Sequence, residues 1–327
     1  MTFSLNRRAM LACMASASCA AVAPRAFAAT AWPTRPVRII VPFAPGGAAD
    51  ASARLLADLF APKLGQSVVV ENKPGAGSAI GVAAAAQAKD GHTLLMASNS
   101  MVINPSLNPQ IGYDPVRDFD AVGMVSAQPL VLVVPASSEA KSLQDLIALA
   151  KARHGLTAGN SGNGTLAHLT SEIFAGQAGV QITPVAYKGE SALMPEMISG
   201  LVDFGFLNLP SVAPHIKSGR LRALAVSSPQ PAAELPGVPT LRALGYPALE
   251  VQGWAALLAP KGTIPAEGLA RLESLLAEAL GSETVRTRFV ALNVSPFAMN
   301  RQATAKFLQD ETTRYASVIK ARGIKAG

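Results

Sequence analysis

Residues 37–60 read Val37-Arg38-Ile39-Ile40-Val41, then Pro42-Phe43-Ala44-Pro45-Gly46-Gly47, then a helix-like stretch from Ala49 to Phe60. A short β-branched run, a glycine-rich turn and a helix, in that order, form the building unit of an α/β sheet. The turn carries chemistry as well. A strand-to-helix junction presents unpaired backbone N–H groups at the positive end of the helix dipole, which suits a carboxylate. Gly46 and Gly47 allow a ligand to approach the backbone closely.

The alternation continues outward. Ser67–Glu71, His92–Ala97, Leu130–Val134, Ile182–Tyr187, Val202–Phe206, Leu221–Ser227 and Val251–Leu258 read as strands. Leu130–Val134 is apolar throughout, as expected of a strand buried on both faces. Helices are expected over Gly77–Ala88, from Ser142 to Gly155, after Pro265 to Gly281, and from about Thr304 to Lys320. In the second of these, Leu143, Leu146, Ile147 and Ala150 share one face, and Ser142 and Asp145 have capping-box spacing. His154 sits in its last turn, where a cation complements the dipole.

A chain of 327 residues exceeds one comfortable core, so two domains are expected. The division is residues 29–130 plus 251–327 for the first and 131–250 for the second. The chain would then pass between domains twice, forming a hinge with a ligand cleft between the halves.

Composition excludes several classes. Half the residues are apolar and 15% are charged, which favours a packed globule over disorder. Arg7 and Arg8, an apolar stretch from Ala9 to Ala23, and Ala26-Phe27-Ala28 form a signal peptide, with cleavage expected after Ala28 and a periplasmic location. The stretch is shorter than the roughly 20 apolar residues that span a bilayer. The arginine pair leaves Sec and twin-arginine export both open. Cys13 and Cys19 fall inside this segment, so a disulfide framework, a thiolate metal site and a cysteine nucleophile are excluded from the mature chain. The formal charge of +7 loses three arginines with the signal and becomes +4. No Lys/Arg run or basic-aromatic interleaving is present, so nucleic acid is not an expected partner.

A second glycine-rich turn, Asn160-Ser161-Gly162-Asn163-Gly164-Thr165, precedes a helix-like stretch from Leu166 to Ala175. It repeats the backbone-donor arrangement and adds hydroxyl and amide groups. Neither turn holds Arg or Lys. His168, three residues into the helix, either touches a ligand or packs under the loop. Tyr187 ends a strand, from which its hydroxyl could reach a cleft. Asp50 lies in the first turn of its helix, where it complements the dipole or meets a ligand donor. Trp254 reads as core or hinge.

Enzyme and cofactor motifs fail. Gly75-Ala76-Gly77 meets Gly81 one residue too late for a dinucleotide fingerprint. Gly162-Asn163-Gly164-Thr165-Leu166-Ala167 fits the looser form but lacks the acidic residue a ribose would require. There is no P-loop, and His92, His154, His168 and His215 lack metal-ligand spacing. No cofactor or metal is expected. Gly159-Asn160-Ser161-Gly162-Asn163 approaches a nucleophile elbow, with Asp203 and His215 following in hydrolase order. A secreted α/β hydrolase using Ser161 is therefore the alternative to a binding protein.

The motifs also resemble those of a known family. Trp32-Pro33-x-Arg35-Pro36-Val37, Pro42-Phe43-x-x-Gly46-Gly47 with Asp50 and Arg54, and Val70-Glu71-Asn72-Lys73-Pro74-Gly75-Ala76-Gly77 are similar to the Bug family, the extracytoplasmic receptors of tripartite tricarboxylate transporters. Asp90-Gly91-x-Thr93-Leu94-Leu95, Gly162-x-Gly164-Thr165-x-x-His168-Leu169, Tyr187-Lys188-Gly189, Leu235-Pro236-x-Val238-Pro239-Thr240 and Trp254 extend the resemblance over the mature chain. It implies a two-domain Venus-flytrap, type II-like periplasmic-binding-protein fold that acts as a monomer. The ligand would be a small mono- or dicarboxylate, and the partner a membrane transporter or a sensor protein. The resemblance implies that the first glycine-rich loop and the loop before His168 clamp the carboxylate, and the expected ligand-binding set is Phe43, Ala44, Pro45, Gly46, Gly47, Asp50, Asn160, Ser161, Gly162, Gly164, Thr165, His168, Tyr187 and Asp203. Three positions depart from the family pattern: Asn160 where Ser is frequent, Ala186 where Pro is common, and Ala243 where Glu is usual.

Overall fold

A computed structural model describes residues 32–324; the expected signal peptide and both cysteines lie outside the described residues. The chain opens with strand β1 (Val37–Val41), helix α1 (Ala48–Leu64) and β2 (Val68–Asn72). Then come α2 (Ala79–Ala86), β3 (Thr93–Ser98), α3 (Asn99–Leu107) and the long β4 (Phe119–Pro135). Next are α4 (Leu143–Ala152), β5 (Leu156–Asn160), α5 (Leu166–Ala178), β6 (Ile182–Ala186) and α6 (Glu190–Ser199). They lead to β7 (Gly205–Asn208), α7 (Leu209–Lys217), β8 (Leu221–Val226) and β9 (Gln252–Pro260). The chain closes with α8 (Ala266–Gly281), α9 (Glu283–Ala291), β10 (Ser295–Met299) and α10 (Arg301–Arg322).

The strands form two sheets that share β4. In the first half the order is β2-β1-β3-β9-β4-β10, parallel around β1 and antiparallel from β3 onward. In the second half β4 lies between β7 and β8, while β5 pairs with β6 and meets the β7 side through an Ala158–Phe204 bridge. The changeover is abrupt. β4 pairs with β9 as far as Pro129 and with β7 from Leu130. Ser227 ties the second passage to the first. Its hydroxyl accepts from Leu130 N at 2.8 Å and donates to Val251 O at 2.6 Å.

Both sheets are covered on both faces, which accounts for their continuous apolar runs. Side chains alternate across a strand, so Val37, Ile39 and Val41 face α1 and α8 residues such as Leu56, Phe60 and Leu272. Ile40 faces the cluster containing Val82, Met101 and Val102. In β4, Val131 and Val133 join Leu193 and Met197, while Leu132 and Val134 join Phe174 and Phe206. Each such side chain contributes about 1.5–3 kcal/mol by leaving water. Truncating Ile39 to alanine would cost about 2–5 kcal/mol.

The structure departs from the sequence reading in several elements. The strand expected over 130–134 runs from Phe119 to Pro135, and β5, α3, α6, α7, α9 and β10 were not foreseen. α3 reads poorly because Asn99, Asn104 and Pro105 dilute its pattern. Tertiary bonds override that propensity: Asn104 Nδ2 donates to Gly77 O at 2.8 Å, and Asn99 Oδ1 accepts from Trp254 N at 2.9 Å. α2 is shorter than expected, because a single 3₁₀ turn occupies Ala76–Ser78. α10 starts at Arg301 because Asn300 caps it, accepting from Ala303 N at 2.8 Å. Among the described residues, no helix is long and apolar enough to cross a membrane.

Candidate ligand-binding site

A cavity of about 90 Å³ lies where β4 and β9 pass between the halves. Ser126, Gln128 and Gly253–Ala255 contribute to its wall from those strands. Five helices begin on it: α1 at Gly47, α3 at Ser98, α5 at Thr165, α6 at Gly189 and α7 at Asn208. Thr165 alone of these caps its helix with its own side chain, accepting from His168 N. The other four leave their first-turn amides without a side-chain acceptor. Each helix start carries roughly half a positive charge. No Lys or Arg lines this cavity. The positive potential therefore comes from main-chain dipoles, a setting that accepts an anion at several N–H groups.

Several amides of the two turns are already occupied within the protein. In the first turn, Ala44 N donates to Lys188 O at 3.3 Å and Gly46 N to Asp50 Oδ2 at 3.0 Å. In the second, Gly162 N is bound to Asn160 Oδ1, Gly164 N to His168 Nδ1 and Thr165 N to Gly162 O. The amides left without such a bond are those of Gly47 and Ser161 in the turns, of Ala48, Ala49 and Asp50 in α1, and of Leu166 and Ala167 in α5, all on the cavity wall.

Of the expected set, Phe43, Ala44, Gly47, Asp50, Ser161 and Thr165 line this cavity. Asp50 shapes the first loop rather than facing a ligand with free lone pairs. Its carboxylate accepts from Gly46 N, from Arg54 at 3.0 and 3.1 Å, and from Asn72 Nδ2 at 3.0 Å. Burial alone would push this carboxyl up; the Arg54, Gly46 and Asn72 bonds outweigh it and hold it below the usual carboxylate range. Gly46 has φ +90°, a conformation that glycine adopts without steric penalty.

The remaining expected residues lie behind or beside the cavity. Gly162 and Tyr187 border a neighbouring space of about 220 Å³, and the Tyr187 hydroxyl is bonded to Glu196. Burial, together with Glu196, pushes that phenol up to about 12. His168 packs under the second loop, 1% exposed, with Nδ1 accepting from Gly164 N at 3.2 Å. Burial pulls its pKa below the ordinary histidine value. Asn160 is also buried there, its Nδ2 without an acceptor. Pro45 and Gly164 do not line the cavity. Asp203 is turned to the far side of β5, accepting from Thr157 N and Oγ1 at 2.7 Å with Arg153 nearby. Among the described residues, no hydrogen bond joins Ser161, His215 and Asp203 into a triad, and no cluster of His, Cys, Asp or Glu could hold a metal ion.

The sequence reading missed Ser98, Gln128, Glu190 and Asn208. Asn208 had a signal: Asn before Leu209-Pro210 is a helix start with proline in the first turn. Gln128 was a lone amide inside an apolar strand, which marks an anomaly without assigning it a partner.

Two α/β halves joined by shared strands, with helix starts converging on the cleft between them, define a periplasmic-binding-protein fold. The family model described as "Tripartite tricarboxylate transporter family receptor" matches residues 52–324, and the chain belongs to that family, the Bug receptors. Protein BugT of Bordetella pertussis is 40% identical over 301 residues, covering 91% of this chain and 92% of BugT. The solved periplasmic binding protein BugD superposes with a TM-score of 0.85 at 30% identity, covering 90% of this chain and 99% of that one. R. palustris Rpa4515 with adipate does so with a TM-score of 0.85 at 33% identity, covering 90% and 99%.

Proposed function

We propose that this chain is a periplasmic receptor, exported with residues 1–28 removed. It traps a small carboxylate between residues 29–130 plus 251–327 and residues 131–250. The observation that carries this reading is the convergence of uncapped helix starts on one cavity lined by no Lys or Arg. The adipate held by a relative supports the same ligand class. Phe43, Ala44, Gly47, Ser161 and Thr165 form the contact surface, and the first-turn amides of α1 and α5 receive the carboxylate. Asp50, Asn160, Gly162, Gly164 and His168 hold the two loops in shape. The protein acts as a monomer, binds without chemistry, and delivers its ligand to transporter subunits or to a sensor protein.

The closing motion passes through β4 at Pro129–Leu130 and through Val251, the two points that Ser227 bridges. A thermal-shift screen of aliphatic and aromatic carboxylates against matched amides and sugars tests the reading. Stabilisation confined to acids is expected. Stabilisation confined to sugars or amides would overturn it.

A further inference from the structure

On the wall of the cavity where β4 meets the starts of α6 and α7, side-chain acceptors stand among the helix starts. Asn208 directs both its main-chain N–H and its Nδ2 at Glu190 Oε1, at 2.9 and 2.8 Å. Its Oδ1 is thereby turned to Gln128, whose Nε2 donates to it at 3.2 Å. The direction of this relay is set by the Glu190 carboxyl, which fixes the Asn208 amide, which in turn fixes the Gln128 amide. Gln128 Oε1 is then left as a buried acceptor with no donor, on a side chain only 8% exposed. Leaving a buried acceptor without a partner is unfavourable, so it marks a place where a donor would be stabilising. All three residues line the cavity.

Gly253 leaves room for the relay. It pairs with Gln128 across β4 and β9, and a Cβ there would lie 2.6 Å from Asn208 Oδ1 and 3.1 Å from Gln128 Nε2. Glu190 has no cation beside it among the described residues. Its bonds are to Asn208 and the Ser211 hydroxyl, and burial pushes its carboxyl up. The other carboxyl of the cavity, Asp50, is already matched by Arg54.

We infer that Gln128 and Glu190 form an acceptor pole for the ligand, which therefore carries a hydroxyl or ammonium group in addition to its carboxylate. This inference rests on the carboxylate reading above and narrows it. A second carboxylate placed at this pole would face the side-chain oxygens of Gln128 and Glu190, which offer it no hydrogen-bond donor of their own when Glu190 is ionised. Adipate, with a carboxylate at each end, is therefore a poor match for this cavity although a relative holds it. An ammonium gains more than a hydroxyl, because a cation beside Glu190 favours the charged form of that carboxyl.

Isothermal titration of the mature protein at pH 7.5 tests this with matched four-, five- and six-carbon sets: the unsubstituted acid, its ω-hydroxy and ω-amino derivatives, and the α,ω-diacid. Within at least one set, the hydroxy or amino acid is expected to bind ten-fold or more tightly than both the unsubstituted acid and the diacid. Glu190→Gln keeps an acceptor for Asn208 and removes the carboxylate charge from this wall, so the preference for the amino acid over the diacid should shrink at least ten-fold. Gln128→Met should shrink the hydroxy-acid preference at least three-fold without reversing it. If either variant fails to fold by circular dichroism, the wild-type series decides alone. Acids that bind with no preference for the donor-bearing member would overturn this inference and leave the carboxylate reading standing. Binding of no acid at all would overturn both.

Discussion

Replacing Gly47 by valine tests the carboxylate seat directly. Gly47 is the N-cap of α1, with φ −83° and ψ 172°, a conformation open to any residue. A Cβ built there meets no atom within 4 Å, so the added side chain projects into free space on the cavity wall. The unliganded protein should lose only about 1 kcal/mol from the poorer cap. The loss of binding should be far larger. Three added carbons in a cavity of about 90 Å³ block approach to the amides of Ala48, Ala49 and Asp50. Hydrogen bonds to a charged group are worth about 1.5–3 kcal/mol each, so losing two costs about 3–6 kcal/mol. At about 1.4 kcal/mol per factor of ten, affinity falls by roughly 10² to 10⁴. A ligand at 100 times its Kd stabilises the native state by about 2.7 kcal/mol, and by only about 0.4 kcal/mol once Kd has risen a hundred-fold. With about 2–4 °C per kcal/mol in a protein of this size class, a carboxylate shift of roughly 5–10 °C should shrink to about 1 °C. Differential scanning fluorimetry reads this after circular dichroism has established that the variant is folded. An undiminished shift in a folded Gly47→Val protein would refute the assignment of the seat to the start of α1.

Gly77→Ala should oppose closure. Gly77 has φ +57°, and a Cβ would fall 1.8 Å from Asn163 O on the facing loop; small-angle scattering should show no compaction with a ligand that compacts the wild type. Stability should fall as pH drops below 6.5, because burial depresses the His168 pKa and the unfolded chain then binds the proton more readily. Denaturant titrations at pH 7.5 and 5.5 should show this loss, at most about 1.4 kcal/mol per pH unit for one group, and His168→Gln should lack that contribution. Glu190 has the opposite sign. Its native pKa is raised above 4.5, mainly by burial, so the folded state loses stability as pH rises from there toward the native value. Glu190→Gln should therefore be more stable than wild type at pH 7.5, with the advantage vanishing near pH 4. Intact-mass measurement of exported protein should give a chain beginning at Ala29; retention of residues 1–28 would contradict the signal assignment.

The unit Val37–Phe60 was legible because it is governed by local rules. Its strand is buried on both faces, its turn needs glycine at Gly46, and its helix begins where the glycines end. The second turn was legible for the same reason, and with it the idea of two anion-accepting helix starts. Which amides remain open was not legible. That depends on Asp50 and His168 folding back to occupy Gly46 N and Gly164 N, and side-chain direction at these positions is settled only by packing. Asp203 followed Ser161 in hydrolase order, yet β5 turns it toward Thr157 and Arg153.

The sequence by itself determined the class of sheet, the two glycine-rich turns, the absence of cysteine chemistry after Ala28, and the family motifs. These follow from hydrophobic period, turn chemistry and residue identity, all properties of neighbours along the chain. The tertiary structure alone decided that β4 serves both halves, that five helix starts share one cavity, and that Gln128 meets Asn208 across 80 residues. It also decided that Gly253 must be small, since the relay occupies the space its side chain would need. The physical reason is register. Pairing β4 with β9 sets Gln128 opposite Gly253, and pairing it with β7 sets Leu130 opposite Asn208. That contact between halves exists only after both sheets have formed on the same strand.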